Sequence, residues 1–257
     1  MLNGESGKYI PDMSRQTSNE EMHNEWVRPL IVEAIGPFAL VFMGAGAIIV
    51  TQGQDLVAIA FAHGLAIALM AAAAGHISGG AYNPAVTLGL VITRKLDPIK
   101  GVAYVGAQLL GAALAALALT ILFPGSLTDP VKLGTPLLAD NIGVGQGLGI
   151  EIILTFFLMF VIFGTAIDKR GPAGIAPLAI GLTITMDIFA TDGATGAAMN
   201  PARSFGPALV NGTWDDAWIY WVGPAIGASI AALLYAYVLI PPRQAEAEME
   251  TARPPAG

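Results

Sequence analysis

The stretch His76-Ile77-Ser78-Gly79-Gly80-Ala81-Tyr82-Asn83-Pro84-Ala85 returns later in the same plan as Gly193-Ala194-Thr195-Gly196-Ala197-Ala198-Met199-Asn200-Pro201-Ala202. Each copy is a weakly polar run with glycines, closed by Asn-Pro-Ala and followed by a short apolar segment. Asn before Pro is a strong helix start, because the Asn side chain caps free N–H groups and Pro at the first helical position forfeits no hydrogen bond. The apolar runs that follow, 85–93 and 202–210, span only about half of the ~20 residues a bilayer demands. The sequence therefore predicts two half-helices, and the rest of the chain must have a use for them.

Composition supplies the setting. Of 257 residues, 54% are hydrophobic and 12% charged, with a mean hydropathy of +0.64. A soluble domain of this length carries about a quarter charged residues, so an integral membrane protein is expected, with the lipid bilayer as its first partner. The net charge of −7 owes much to the chain ends, where Glu20, Glu21, Glu25, Glu246, Glu248 and Glu250 lie. That pattern reads as solvated tails, with no nucleic-acid partner. The chain has no Cys, which excludes a disulfide, a thiolate metal site and a cysteine nucleophile; no metal or cofactor is expected.

In order, the chain reads as a polar N-terminal tail (1–28) without a signal-peptide pattern, a first repeat (29–123), a connecting loop (124–147), a second repeat (148–240) and a polar tail (241–257). Apolar spans fall at 30–50, 56–74, 101–123, 148–167, 174–190 and 218–240. Glu33 recurs as Glu151, Gly64 as Gly181, Asn83 as Asn200 and Gly111 as Gly227, at offsets of 118, 117, 117 and 116 residues. Near-constant offsets mark an internal repeat. Each half holds an odd number of complete crossings, so the second lies inverted on the first. The expected fold class is an all-α membrane protein of six transmembrane helices plus two re-entrant half-helices in an inverted repeat. With the N-terminus cytoplasmic, Lys8, Arg15, Arg28, Arg94, Lys95, Lys100, Lys169, Arg170, Arg243 and Arg253 fall inside and Lys132 outside, a positive-inside pattern with both termini cytoplasmic. The cell membrane is the expected location.

Two opposed half-helices aim their N-termini at the midplane, each carrying roughly half a positive charge. The Asn83 and Asn200 amides can donate hydrogen bonds there. A cation meets two positive ends and no acceptor, whereas water accepts both bonds. Irregular backbone at membrane depth survives only where it is buried or lines an aqueous cavity. The expectation is a passive pore for small uncharged molecules that rejects cations, protons included.

These features carry a family resemblance. The paired Asn-Pro-Ala motifs, the inverted six-span repeat, His76-Ile77-Ser78-Gly79 and Asn200-Pro201-Ala202-Arg203-Ser204-Phe205-Gly206 resemble the aquaporins, or major intrinsic proteins, over about residues 29–241. The resemblance implies a homotetramer with one pore per protomer. It places Asn83, Pro84, Ala85, Asn200, Pro201 and Ala202 at the central constriction and His63, Ile188, Ala197 and Arg203 in a narrower outer selectivity filter. That filter resembles the tonoplast intrinsic branch, several of whose members pass ammonia, urea or hydrogen peroxide besides water. The loop 124–147 has no His, unlike ammonia-permeable members of that branch. Ser204, Ala208 and Tyr220-Trp221 depart from the glycerol-type pattern and match the water-type one.

Beside the pore residues, Glu33 and Glu151 are expected to brace the irregular stretches by accepting backbone N–H bonds, rather than to carry protons. His76 reads as a structural or cytoplasmic-vestibule group, with pH gating as its other reading. Asp187 has no assigned role. The competing functions are a strict water channel and a secondary transporter of a small solute, which also uses broken helices and inverted repeats but needs coupling-ion or charged-substrate ligands at the midplane. No nucleophile–base pair or metal-ligand set supports an enzyme.

Overall fold

The structure is a computed structural model that describes residues 22–240. The tail segments 1–21 and 241–257, with Lys8, Arg15, Arg243 and Arg253, lie outside the described residues. Among the described residues there are six helices long and apolar enough to cross a membrane: α1 (His23–Thr51), α2 (Leu56–Ser78), α4 (Pro98–Leu122), α5 (Val144–Ile167), α6 (Ala173–Thr195) and α8 (Ile219–Leu239). Between them sit two short helices, α3 (Pro84–Ile92) and α7 (Pro201–Asn211), each starting at the Pro of an Asn-Pro-Ala motif. No strand occurs among the described residues.

The packing obeys the repeat. α1 packs on α2 and α4 as α5 packs on α6 and α8; α4 packs on α7 as α8 packs on α3; and α2 and α6 meet each other at the centre. Glycine makes two kinds of close crossing possible. A Cβ on Gly64 would strike the carbonyl oxygen of Gly181, and one on Gly181 would strike that of Gly64. Likewise Gly111 lies against the carbonyl of Ala34, and its repeat mate Gly227 against the carbonyl of Ile152. With no apolar–water contrast inside lipid, such close backbone approach is what holds helices together. Large apolar side chains such as Val102, Ile121, Ile99 and Val50 stay outside, 75%, 73%, 72% and 63% exposed, as a surface facing hydrocarbon requires.

Several boundaries differ from the sequence reading. The first helix starts at His23 rather than near residue 30, through a wide π turn (His23–Val27) ahead of Pro29. No breaker precedes Pro29, and a wider turn accommodates a residue that lacks an N–H. α5 and α8 also end in π turns, at Phe163–Ile167 and Tyr235–Leu239. The loop 124–147 is partly helical, with turns at Gly125–Thr128 and Lys132–Gly134, and α5 begins within it at Val144. Leu133, 2% exposed, anchors this loop in a cluster with Val41, Ala45, Ile49 and Ala112.

Candidate functional site

Each half-helix is built by its own Asn. The Asn83 side-chain oxygen accepts from the N–H groups of Ala85 (2.9 Å) and Val86 (3.5 Å), and that of Asn200 from Ala202 (2.9 Å) and Arg203 (3.4 Å). With the oxygen committed to the cap, the amide nitrogen faces the other repeat. Asn83 Nδ2 donates to the Met199 carbonyl at 2.8 Å, and Asn200 Nδ2 donates to the Tyr82 carbonyl at 3.0 Å. An amide nitrogen has two N–H groups, so each Asn retains one donor.

Those two carbonyls are aimed by unusual backbone. Tyr82 and Met199, the residues before the two Asn, have φ of 50° and 52°. Non-glycine residues rarely adopt this left-handed region, at a cost of order 1–3 kcal/mol. A buried carboxylate holds each in place. Glu33 accepts from Ser78 Oγ (2.6 Å), Ala81 N (3.0 Å), Tyr82 N (2.8 Å) and Gln108 Nε2 (2.7 Å). Glu151 accepts from Thr195 Oγ1 (2.8 Å), Ala198 N (3.0 Å) and Met199 N (2.8 Å). Both carboxylates are 0% exposed. Tyr104 and Tyr220 complete the frame, donating to the carbonyls of Ser78 (2.8 Å) and Thr195 (2.9 Å). Ser78/Thr195 and Tyr104/Tyr220 repeat at the same offsets as the motifs, a signal that the sequence carried; Gln108 has no mate, since Pro224 stands in its place.

Three cavities run in series past these residues. The widest, at the end beside the loop 124–147 and termed the outer cavity, is about 190 Å³ of space reachable by the centre of a water molecule and is lined by Ile59, Gly134, Pro136, Asp192, Gly196 and Arg203. The second shrinks to about 20 Å³ between His63, Ile188, Ala197, Arg203, Asn83 and Asn200. One water needs about 10–15 Å³ on this measure, so the passage there is single-file. The third, about 60 Å³, opens past Asn83 and Asn200 to an apolar wall that includes Ala71, Val86, Ile162, Ile180 and Ile184. Arg203 is shared by the first two cavities, and the two Asn by the last two, so each cavity adjoins the next.

The repeat explains why the ends differ. At the offset of 117 residues, His63 corresponds to Ile180, Ile188 to Ala71, Ala197 to Gly80 and Arg203 to Val86. All four counterparts line the inner cavity. The same structural positions are thus polar and narrow at one end, apolar and wider at the other.

The structure brings His63, Ile188, Ala197 and Arg203 together, each at most 4% exposed. His63 Nδ1 lies 2.8 Å from the Ile59 carbonyl, which accepts only from a protonated nitrogen, so Nε2 is the unprotonated one. Arg203 Nε donates to that Nε2 at 2.9 Å, and Arg203 Nη1 donates to the Gly134 carbonyl at 2.9 Å. Gly134 was not legible as a site residue, since its contact comes from a carbonyl in a loop; its φ of +70° is what turns it there. His76 stands apart, exposed in the last turn of α2, and does not line the inner cavity. Asp187, next to Ile188 in the chain, is buried with Oδ2 unpartnered. No group of three or more His, Cys, Asp or Glu suited to a metal occurs among the described residues.

Comparison with known proteins agrees with this architecture. The model of the family described as Major intrinsic protein matches residues 20–235. Aquaporin TIP4-4 of Zea mays is 44% identical over 221 residues, covering 81% of this chain and 85% of that protein. Aquaporin-4 of Rattus norvegicus is 40% identical over 246 residues, covering 91% and 76%. An X-ray structure of the aquaglyceroporin from Plasmodium falciparum superposes with a TM-score of 0.77 at 28% identity, covering 84% of this chain and 97% of that one. A family match over most of the length, together with these identities, makes this chain an integral membrane protein of the major intrinsic protein family, the aquaporins.

Proposed function

We propose that the protein is a passive channel for water that also passes small neutral solutes such as ammonia, urea or hydrogen peroxide and excludes protons and ions. The observation that carries this reading is the reciprocal pair Asn83–Met199 and Asn200–Tyr82. It keeps two helix N-termini facing across one constriction, each Asn with a donor left over. A permeating oxygen accepts there, while a hydronium ion or metal cation meets two positive helix ends, beside carbonyls of Met199 and Tyr82 already engaged by the Asn amides.

In this reading Asn83, Pro84, Ala85, Asn200, Pro201 and Ala202 form the central constriction. His63, Ile188, Ala197 and Arg203 form the filter, and Glu33 and Glu151 hold the walls. Ile188 and Ala197 offer no polar atom in their side chains, and Arg203 is tied to His63 and Gly134. Support for solutes beyond water comes from that sparsely polar filter. The exposed apolar faces of the outer helices support burial in lipid and against further copies of the chain in a homotetramer. The chain divides, as read from the sequence, into repeats at 29–123 and 148–240 joined by an extracellular loop (124–147). Both termini lie in the cytoplasm, and the cell membrane is the location proposed.

Light scattering of proteoliposomes challenged in turn with sucrose, urea, glycerol and an ammonium salt tests this function. The expected result is fast water efflux under sucrose and accelerated entry of urea or ammonia, with slower entry of glycerol. Water efflux no faster than in protein-free vesicles would refute it.

A further inference from the structure

The outer cavity is lined by one acidic side chain, Asp192, together with Arg203. Asp192 sits in α6 one turn beyond Ile188, and its backbone carbonyl accepts from Gly196 N at 2.8 Å, which closes the helix. Its carboxylate makes no hydrogen bond to any described residue, yet it interacts electrostatically with Arg203. Arg203 uses Nε on His63 and one Nη1 hydrogen on Gly134; a guanidinium carries five N–H donors, so three remain. The cavity therefore presents unpaired acceptors and unpaired donors across one space.

The internal repeat shows this pair to be particular to the outer mouth. At the 117-residue offset, Asp192 corresponds to Gly75 and Arg203 to Val86. The inner mouth thus has neither charge. A charged pair at one end of a pseudo-symmetric pore is not required by the fold.

We propose that Asp192 is a specificity-determining residue that, with Arg203, forms an entry subsite for small neutral amides of the urea class. The amide carbonyl accepts from the free guanidinium N–H groups of Arg203, and the amide N–H groups donate to the Asp192 carboxylate. An amide is matched because it is neutral overall and strong at both ends. A cation is attracted by Asp192 but repelled by Arg203, and a carboxylate meets the reverse. The inference rests on the reading of Arg203 as a pore residue but does not require that urea cross the filter.

Water efflux from proteoliposomes is measured under a sucrose gradient, with urea equilibrated on both sides at rising concentration. Urea held at the mouth slows single-file water. In the unaltered channel the slowing is expected to saturate with urea, and Asp192→Ala and Asp192→Asn are expected to need about tenfold more urea for the same effect, the loss of one hydrogen bond to a charged group. Asp192→Glu, which keeps the carboxylate, is expected to retain the slowing. Equal slowing in the unaltered protein and both neutral variants, or none in any of them, would overturn the proposal. If Asp192→Ala conducts no water at all, the comparison of Asp192→Asn with Asp192→Glu decides. Urea entry, measured separately in the same vesicles, bears on the proposed solute range alone.

Discussion

Arg203 donates from Nε to Nε2 of His63 at 2.9 Å, so a residue of the second repeat is held against a wall contributed by the first. The bond uses the one ring nitrogen of His63 that can accept, because Nδ1 faces the Ile59 carbonyl. The position of the guanidinium in the narrow cavity therefore depends on a neutral imidazole.

Replacing that wall should change the solute range more than water flow. In the double variant His63→Phe with Ile188→His, the filter gains an aromatic ring on one side and a polar ring on the other. The ratio of urea or ammonia permeability to water permeability is expected to fall about tenfold, the scale on which a close-fitting pocket discriminates by one group. Stopped-flow measurement on both proteins checks it, and an unchanged ratio would contradict the roles assigned to His63 and Ile188.

Glu33 and Glu151 should prove structural. A Gln at either position turns one acceptor into a donor that faces a backbone N–H, of Ala81 or Tyr82 in one case and of Ala198 or Met199 in the other. Each of Glu33→Gln and Glu151→Gln is expected to cost about 2–3 kcal/mol, because a hydrogen bond to a charged group is lost and a buried donor is left unpaired. Thermal unfolding in detergent reads this as a lowered Tm for both variants. A Tm equal to that of the unaltered protein would show that the carboxylates do not hold the irregular segments.

The crossing of α2 and α6 makes a simpler demand. Gly64→Ala places a methyl group on the Gly181 carbonyl and on Thr185 Oγ1. Overpacking of this kind costs about 1–3 kcal/mol, and Gly181→Ala should cost as much by the reciprocal contact. Both variants are expected to unfold at lower temperature, while Gly75→Ala, whose added Cβ meets open space, should be better tolerated.

At the end of α5, Asp168 accepts from Arg170 Nε at 2.9 Å and from Arg170 Nη2 at 2.5 Å, and the same Nη2 reaches the Leu239 carbonyl at 3.0 Å. This contact ties the loop after α5 to the last turn of α8. The hydrogen bond from Arg170 holds the Asp168 carboxyl below the usual carboxylate range. A carboxyl lowered in the folded state adds stability above its unfolded value, about pH 4, and that stability disappears as pH falls through the folded value. The Arg170 side chain is 48% exposed, so the contribution is only about 0.5–1 kcal/mol. Asp168→Asn should thus lower Tm slightly at neutral pH, and the two Tm values should converge in acid. A gap that persists unchanged into strong acid would contradict the ion pair.

Much of this architecture was legible in the sequence because it rests on local chemistry. Asn83-Pro84 and Asn200-Pro201 specify helix starts by capping alone, and the constant offsets among Glu33/Glu151, Gly64/Gly181 and Gly111/Gly227 specify the inverted pairing. Other features depend on contacts between distant segments that have no periodicity. The Gly134 carbonyl reaches Arg203 only because Leu133 is buried against α1 and α4. Asp192 faces the outer cavity only because α6 runs a turn beyond its apolar stretch, to Thr195. Residues 22–28 read as tail because most of them are polar, whereas they continue into α1 as a mostly exposed turn. Gln108 escaped notice for the opposite reason: the repeat has no counterpart to reveal it.

The most direct test is to measure water and proton flux in the same proteoliposomes, one by light scattering under a sucrose gradient and the other with an entrapped pH dye under a proton gradient. Two capped helix starts facing each other across Asn83 and Asn200 should raise water flux far above that of empty vesicles while leaving proton flux at the level of bare lipid. Proton flux that rises together with water flux, or water flux no greater than that of bare lipid, would contradict the account.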